Sequence, residues 1–325
     1  MQYVFKSVHE LKPEEVRRYL ELYNSTFDRD LSYKEFYYKF TRQMGPNSYF
    51  VFMVDDQAGI VGSLGAIEVG YNFGGEQLKF GLTVDAMIEP EYRELLAMRR
   101  QHEVLFQELR GRGFGWVFTK PNNNSYLYLK KLLGFSDAGE LRAYAFPIRP
   151  FRAIGRRLGF LDYPWLALLL LSGWLAHPLR PFKHVSLDEL HPDTEKATCI
   201  QRERNAEFLR NRYGSERYHA VALDDRYLIY STNAYGRRSA CFALEAHHMG
   251  LRDWLAFITY TVQHHPEADV VLRITGEARK QSLPLIRIPR RFLPNKFRIV
   301  VKTIGDRVLP SDVEFRMDLS DFEVV

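Results

Sequence analysis

The sequence predicts an α/β protein whose mixed β-sheets are flanked by helices, and two observations predict this class. Helix and strand signals alternate along the chain, and the order strand, strand, strand, helix, strand occurs twice, over 48–119 and over 218–275. The 325 residues are 46% hydrophobic and 26% charged, which is enough chain and apolar surface for two ordinary domains. From the order alone, a duplicated fold and an unrelated pair of α/β segments explain the chain equally well.

The first half opens with a predicted strand at 3–8, followed by two helices. Pro13 followed by two glutamates is typical of a first helical turn, and Ser32 with Glu35 three residues later forms a capping box. Runs of β-forming residues then predict three strands, at 48–54, 60–73 and 76–88. Gly74-Gly75 between the last two runs predicts a hairpin turn.

A break at Pro90 precedes the long helix of the first half. Its apolar residues recur every three or four positions and are Leu95, Met98, His102, Leu105 and Leu109. We interpret His102 on this face as a core histidine. The remaining predicted elements are a strand at 114–119, a short helix capped by Asn124 or Ser125 and ended by Gly134, and a closing strand at 141–148.

The second half repeats the order of elements without repeating the sequence. Its predicted strands lie at 218–223, 226–232, 239–246 and 270–275, with a helix at 251–262. Asp224-Asp225 ends the first of these strands, as Asp55-Asp56 ends a strand of the first half. The acid on the third of them is Glu245.

The segment 149–183 between the halves combines basic residues with an apolar run. Arg149, Arg152, Arg156 and Arg157 precede the run Trp165–Leu171, and Trp174 follows it. The run is too short to span a bilayer, but tryptophans and basic flanks suit a helix in a membrane interface. The favoured interpretation is a connector helix buried between two domains, because buried helices are apolar on all faces.

Composition excludes several classes of protein. Two cysteines, Cys199 and Cys241, are too few for a disulfide framework or a zinc ribbon. The first residues show no basic region followed by an apolar stretch, which a secretory signal would require, so we expect a cytoplasmic protein. Neighbouring histidines such as His247-His248 point in different directions, so we expect no metal site. The formal net charge of +5 permits anionic partners without requiring them.

A cluster of basic and aromatic side chains near the C-terminal end could form a surface for nucleic acid. It comprises Arg287, Arg290, Arg291, Phe292, Lys296, Phe297, Arg298 and Lys302. No nucleic-acid motif accompanies it, and a solvated strand and loop explain it equally well. We therefore expect no nucleic-acid partner.

The junction between the strand at 76–88 and the long helix is the strongest candidate for anion binding. A helix start offers free backbone N–H groups and the positive end of the helix dipole, which suit a pyrophosphate. Arg93 lies in the same turn and adds positive charge.

Several motifs at and after this junction resemble the GNAT N-acetyltransferase superfamily. They are the turn Pro90-Glu91-Tyr92-Arg93, the run Pro121-Asn122-Asn123-Asn124-Ser125-Tyr126, and Lys131-Leu132-Leu133-Gly134-Phe135. The runs from Pro121 and Lys131 resemble a tandem subgroup associated with polysaccharide or amino-sugar modification. The resemblance implies two GNAT-like domains, each with a mixed, centrally splayed sheet. The implied boundaries are an N-terminal domain at 1–148, a connector at 149–184, and a degenerate C-terminal domain at 185–325.

The resemblance also implies a reaction and its residues. Acetyl-CoA, or another acyl-CoA, would enter a split between two parallel strands and acylate a small-molecule amine or an amino sugar. Asp85 on the fourth strand would take the amine's proton, and Tyr126 would protonate the thiolate, with Tyr128 as its competitor. The implied cofactor-binding residues are Met87, Ile88, Arg93 and Asn123.

One departure from the family pattern supports a second hypothesis. The family's phosphate loop carries glycines, whereas the run Arg93–Met98 has none, and Glu94 adds a negative charge there. The alternative is therefore a catalytically degenerate GNAT fold that binds a ligand or a partner, peripheral to the membrane through 149–183. In the second half, Glu245 takes the place of Asp85 without a full loop pattern.

Overall fold

The computed structural model describes most of the chain. The described residues are 1–154, 156–176, 182–190, 199–235, 238–276, 286–293, 296–307, 309 and 315–322. Arg180 of the connector and Gly236 of the predicted turn at 235–236 lie outside them, and the side chains of Arg156 and Arg157 are not described.

Eight α-helices occur among the described residues. They are α1 (Pro13–Phe27), α2 (Tyr33–Tyr38), α3 (Leu95–Gly111), α4 (Asn123–Leu133), α5 (Pro150–Ile154), α6 (Asp162–Ala176), α7 (Ala206–Tyr213) and α8 (Leu251–His264). A π-helical turn at Lys39–Gln43 extends α2.

Sixteen strands occur in the same part of the chain. Those of the first half are β1 (Gln2–Ser7), β2 (Ser48–Asp55), β3 (Gly59–Phe73), β4 (Glu76–Ile88), β5 (Trp116–Thr119), β6 (Ser136–Glu140) and β7 (Arg142–Pro147). The others are β8 (Lys183–His184), β9 (Ile200–Arg202), β10 (Tyr218–Leu223), β11 (Arg226–Tyr235), β12 (Arg238–His247), β13 (Val270–Thr275), β14 (Ile286–Arg287), β15 (Arg298–Thr303) and β16 (Phe315–Arg316).

The strands form two mixed sheets with matching internal order, which confirms the predicted fold class. The first runs β1-β2-β3-β4-β5-β15-β6, with β9 and β16 attached at the side of β3. The second runs β14-β7-β13-β12-β11-β10-β8. Along these two paths every pair is antiparallel except one central pair in each sheet, β4 with β5 and β12 with β13.

Each sheet is completed by a strand from the other half of the chain. Strand β7 is the closing strand predicted at 141–148, but it pairs with β13 in the second sheet. Strand β15 lies between β5 and β6 of the first sheet, 158 positions after the end of β6 if counted from Glu140 to Arg298. The domain boundaries at 148 and 185 remain predictions, because strand order alone does not test them.

Helices cover both faces of the first sheet. On one face α1 and α2 bury an aromatic cluster in which Tyr19 packs edge-on against Phe36, Phe40 and Phe50. On the other face α3 and α4 bury Leu105, Leu109 and Leu129 against the strands. The first sheet is therefore a two-faced layer, so anything that enters between its strands meets a helix layer on each side.

Helix α6 is not buried between the halves, and the favoured interpretation of the connector is wrong. Leu169 is 5% exposed on the side that packs against α8, whereas Leu171 and Trp174 are 53% and 60% exposed. The helical stretch Leu158–Leu175 has a mean hydropathy of 1.4 with 17% of it buried, so by length and composition it could cross a membrane. Helix α6 is apolar on all faces because one face packs in the protein core, while the opposite apolar face lies on the surface.

The contact between α6 and α8 depends on one glycine. A Cβ placed on Gly173 would lie 1.8 Å from Thr259 Oγ1 and 2.4 Å from Thr259 Cβ. Because the Cβ of threonine cannot rotate away, a larger residue at 173 has to push the helices apart.

Gly173→Ala is therefore expected to lower the free energy of unfolding by about 1–3 kcal/mol, the usual cost of overpacking. Gly159→Ala is the matched control, because its nearest neighbour would be Arg152 Cβ at 3.9 Å, an ordinary contact. Urea denaturation of the two variants measures the difference. Equal stability of both variants would show that α6 does not pack against α8 as described.

Candidate active site

Strands β4 and β5 part in the middle of the first sheet. They pair in parallel at three positions, from Phe80 with Trp116 to Leu82 with Phe118, and β4 then continues to Ile88 paired with β3 but no longer with β5. The Thr119 hydroxyl donates to the Thr83 carbonyl at 2.9 Å and closes the last point of contact. The splayed sheet that the sequence resemblance implies is thus present.

A cavity of about 320 Å³ occupies the gap between the parted strands. Its walls come from β4, from the turn after β5, from both helix layers and from the C-terminal segment. The side chains that line it include Asp85, Met98, His102, Asn122, Ser125, Tyr128 and Phe322. The cavity therefore opens toward α3 and α4 on one side and toward α1 on the other.

A β-bulge turns Asp85 into this cavity. Asp85 and Ala86 together lie opposite the single residue Leu64 of β3, between the pairs Gly65–Val84 and Ser63–Met87. Asp85 has a φ of 50°, in the left-handed region that aspartate tolerates better than most side chains. A bulge of this kind bends a strand and re-aims its side chains, which here separates β4 from β5.

The Asp85 carboxylate is held by one oxygen and presents the other. Oδ2 accepts hydrogen bonds from the Tyr19 hydroxyl at 2.6 Å and from Lys39 Nζ at 2.7 Å. The side chains of Lys39 and Asp85 are 4% and 7% exposed, so this ion pair is nearly removed from water. Oδ1 accepts no hydrogen bond from the described residues, which leaves it available to a molecule in the cavity.

His102 lines the same cavity rather than acting only as a core side chain. Its Nδ1 lies 2.9 Å from the Met98 carbonyl. Because a carbonyl only accepts, Nδ1 carries the proton and Nε2 is left as an acceptor. Burial lowers the pKa of His102 to about 4, so the imidazole is neutral at neutral pH.

Tyr128 supplies a hydroxyl that no described residue satisfies. The oxygen is buried and has no hydrogen-bond partner in the described part of the chain. Its ring lies edge-on to His102, with 6.0 Å between the ring centroids. Burial raises the pKa of Tyr128 to about 12, so it remains a proton donor at neutral pH. A buried donor without a partner is costly, and a ligand in the cavity would relieve that cost.

Tyr126, the predicted acid, does not line the cavity. Its hydroxyl donates to Asp137 Oδ1 at 2.8 Å and also accepts from Lys130, while the Arg298 guanidinium lies 4.0 Å from its ring centroid. Tyr126 and Tyr128 are two residues apart on α4 and therefore face different directions. Tyr128 was recognisable as a competitor in the sequence, but only the helix orientation separates the two.

The predicted cofactor-binding residues lie around the cavity rather than in its walls. Met87 and Ile88 are buried beyond the bulge. Arg93 Nε donates to the Ile88 carbonyl at 2.8 Å and so fastens the turn after β4. Asn123 is exposed at the start of α4, whereas the preceding Asn122 lines the cavity. Asn122 also caps α4 by accepting from Ser125 N, so the predicted caps at Asn124 or Ser125 are wrong.

The start of α3 is exposed and apolar. Glu94 precedes the helix, and Leu95 and Leu96 in its first turn are 57% and 73% exposed. A helix start leaves its first backbone N–H groups without intrahelical partners. The first turn thus retains free donors, although Leu96 stands where the family pattern has glycine.

The second sheet carries a related acidic residue, but its carboxylate is fully hydrogen-bonded to other side chains. Glu245 lies at an irregularity between β11 and β12, and its Oε1 accepts from the Tyr213 hydroxyl at 2.8 Å. Its Oε2 accepts from Arg204 Nε at 2.8 Å. Both carboxylate oxygens of Glu245 are therefore occupied, whereas Asp85 keeps one available.

The predicted basic surface is divided among different contacts. Arg290 pairs with Glu140, Arg298 lies over Tyr126, and Lys302 Nζ lies 5.9 Å from the ring centroid of Phe106. Among the described residues, no group of three or more His, Cys, Asp or Glu side chains is placed to hold a metal ion.

Residues 7–131 match the family model of the Acetyltransferase (GNAT) domain, and this range includes the cavity-lining residues named above except Phe322. No curated protein sequence matches the chain. Among solved structures, it is similar to a GCN5-related N-acetyltransferase from Anabaena variabilis, with a TM-score of 0.61 and 15% identity over 93% of this chain and 73% of that one.

Two further structures show the same fold. A probable N-acyltransferase of unknown function from Enterococcus faecalis has a TM-score of 0.61 and 12% identity, covering 94% of this chain and 73% of its own. Eis1 from Mycobacterium abscessus has a TM-score of 0.53 and 12% identity, with 93% and 74% covered.

The neutral His102 predicts a pH dependence of stability. The pKa falls from 6.5 to about 4 on folding, so the unfolded chain binds more protons between these values. Stability is therefore complete above about pH 6.5 and is lost as the pH falls toward about 4. We expect the free energy of unfolding to drop by about 2 kcal/mol more for the native chain than for His102→Gln between about pH 7 and about pH 5.

Urea denaturation at the two pH values gives this difference directly. Parallel losses in the native chain and in His102→Gln would show that His102 is protonated equally in both states and does not lie buried in the cavity wall.

Proposed function

We propose that this protein is an acyl-CoA-dependent N-acyltransferase whose active site is the cavity between β4 and β5. The observation that carries the proposal is the pair of available groups in that cavity, Asp85 Oδ1 and the Tyr128 hydroxyl. One is an acceptor that suits an amine, and the other is a donor that suits a leaving group. The GNAT domain match over 7–131 and the acyltransferase names of the structural neighbours support the same class.

The residues present fit an acyl-CoA co-substrate at its thioester end. The Tyr128 hydroxyl lacks a partner, and the β4 edge from Thr83 to Ala86 faces the cavity. Asn122 and Ser125 line the side toward α4, and Arg93 stands at the start of α3, where a phosphate would meet free N–H groups. Acyl-CoA, when bound, supplies the acyl group as an activated thioester. Acetyl-CoA is the specific donor that we propose.

The roles of the protein groups follow from their positions. Asp85 Oδ1 accepts the proton of the acceptor amine as the new C–N bond forms, while Lys39 and Tyr19 hold Oδ2 and fix the carboxylate. The Tyr128 hydroxyl gives its proton to the sulfur as the C–S bond breaks. His102 Nε2 is a second neutral acceptor in the cavity wall, and its ring lies edge-on to that of Tyr128. Positioning of both reactants in one cavity supplies much of the rate.

The acceptor that we propose is a small-molecule amine, with an amino sugar or a polysaccharide precursor as the class to screen first. Support for this class comes from the resemblance of Pro121–Tyr126 and Lys131–Phe135 to the tandem GNAT subgroup. A tandem arrangement with a degenerate second domain is also proposed, and the closed state of Glu245 supports it. We further propose a cytoplasmic location.

The second candidate function is a GNAT fold that binds a ligand without transferring an acyl group. Exposed Leu96 favours it, since it occupies a position where close approach to a pyrophosphate needs a small residue. Glu94 adds a negative charge at the same place, which opposes an anionic ligand.

The first prediction from this proposal separates the two tyrosines. Tyr128→Phe should lower the rate of acyl transfer by about 10²–10⁴-fold, the usual contribution of a general acid, because the proton for the leaving sulfur is lost. Tyr126→Phe is the matched control on the same helix and should keep nearly full activity. The measurement is release of free CoA from acetyl-CoA in the presence of a panel of amino sugars. Loss of activity in Tyr126→Phe alone would restore Tyr126 as the acid.

The second prediction tests the glycine-free turn. If the start of α3 binds pyrophosphate, Glu94→Gly/Leu96→Gly should bind acetyl-CoA about tenfold or more tightly than the native chain in calorimetric titration, since bulk and negative charge are both removed. Micromolar binding by the native chain supports the enzyme. No binding by the native chain, with binding restored in the variant, supports the degenerate fold. Unchanged binding in the variant would show that this turn does not contact the phosphates.

A further inference from the structure

Helix α6 exposes a continuous apolar strip. Six side chains form it, recurring every three or four positions along one face, and we call them the outer strip: Tyr163, Ala167, Leu168, Leu171, Trp174 and Leu175. Five of them are large, and these are between 53% and 76% exposed. Phe160, just before the helix, is 64% exposed and extends the strip. Soluble proteins rarely leave so many adjacent large apolar side chains in water.

The opposite face of α6 fixes the direction in which the strip points. Leu169 is buried, and its carbonyl accepts a hydrogen bond from Thr259 Oγ1 at 3.1 Å. Gly173 lies directly against Thr259 of α8. Because α8 covers this face, lipid cannot surround α6, and a membrane-crossing position would require α6 to leave α8. The strip can meet a membrane only from one side.

The N-terminal end of α6 is positively charged. Asp162 is 4% exposed, and its carboxylate accepts hydrogen bonds from the backbone N–H groups of Phe151 and Arg152. It therefore adds no exposed negative charge to the strip. The Arg152 side chain is 55% exposed, and its nearest acid is Asp269 at 3.9 Å. Lys183, past the other end, is also exposed. Arg156 and Arg157 lie between Arg152 and the strip in the sequence.

We propose that the outer strip is a docking surface for an anionic lipid bilayer, with α6 lying in the plane of the interface. The aromatic residues at its two ends, Tyr163 and Trp174, are of the kind that prefer the headgroup region. Leu168 and Leu171 between them, and Leu175 just beyond Trp174, enter the acyl boundary, and Arg152 binds lipid phosphates. Exposed basic residues beyond both ends of the strip, Arg152 and Lys183, with leucines and tryptophan on it, favour an anionic bilayer over a second protein.

Membrane docking is independent of acyl transfer, because the strip lies on α6 and the cavity lies between β4 and β5. A chain that binds vesicles without transferring acyl groups would leave this inference intact. A chain that transfers acyl groups without binding vesicles would remove it and leave the proposed enzyme.

The test is co-sedimentation of the full chain with vesicles made of equal parts phosphatidylcholine and phosphatidylglycerol. We expect the native chain to bind, and Leu171→Gln/Leu175→Gln to bind about tenfold or more weakly, because two apolar side chains are lost from the strip. The matched control is Leu127→Gln/Leu132→Gln, which changes two leucines on α4 that are 56% and 41% exposed. This control should bind like the native chain.

Two further arms complete the test. Vesicles of phosphatidylcholine alone should bind the native chain more weakly, and Arg152→Glu should weaken binding to the anionic vesicles. Circular dichroism verifies that each variant is folded. No vesicle binding by the native chain, or equal binding by both leucine variants, would overturn the proposal. So would a native dimer that Leu171→Gln/Leu175→Gln dissociates, since the strip would then face a second copy.

Discussion

The buried pair of Lys39 and Asp85 is the interaction on which the site depends. A carboxylate and an ammonium that are 7% and 4% exposed are stable only because they are 2.7 Å apart, and the Tyr19 hydroxyl adds a third partner. These contacts hold Asp85 at a φ of 50° and so maintain the bulge in β4. The bulge parts β4 from β5, and the cavity occupies the gap. Removal of the Lys39 charge would leave the Asp85 carboxylate buried, with the neutral Tyr19 hydroxyl still donating to it.

Both sheets have the same strand irregularity beside an acidic residue, but the acidic residue is available to a ligand in only one of them. Each has one parallel pair at its centre and an irregularity near an acid on the third strand of the repeat. In the first sheet the acid keeps one oxygen available and lines a cavity. In the second, Tyr213 and Arg204 occupy both oxygens of Glu245, and Arg204 also reaches Asp318 and Asp321. Arginine presents several donors in a fixed fork, so it can close a cluster that a single lysine leaves open.

The exchange of β7 and β15 joins the two halves into one structure. Phe322, near the end of the described chain, is 2% exposed and lines the cavity of the first half. Its carbonyl accepts a hydrogen bond from Arg212. The first half therefore does not build its site alone. The connector that allows the exchange contains α6, whose outer strip remains exposed after both sheets are complete.

The sequence by itself determined the fold class, the order of the elements and most of their bounds, because these follow from local periodicity, capping and turn residues. The family resemblance also pointed to Asp85, which lines the cavity, whereas its expectation that Arg93 binds a cofactor stays a prediction. The sequence placed β7 in the wrong sheet, chose the cap of α4 two or three residues too late and buried α6 on all sides. Each of these depends on contacts between residues far apart in the chain.

Tertiary structure alone decided which groups enter the cavity. Tyr126 and Tyr128 are equivalent by spacing, and only the packing of α4 directs one toward Asp137 and the other toward His102. His102 fits a core pattern, yet the parting of β4 from β5 gives its ring an open side. The pairing of Lys39 with Asp85 joins positions that no local pattern connects, because strand pairing and helix packing, which act at long range, bring them together.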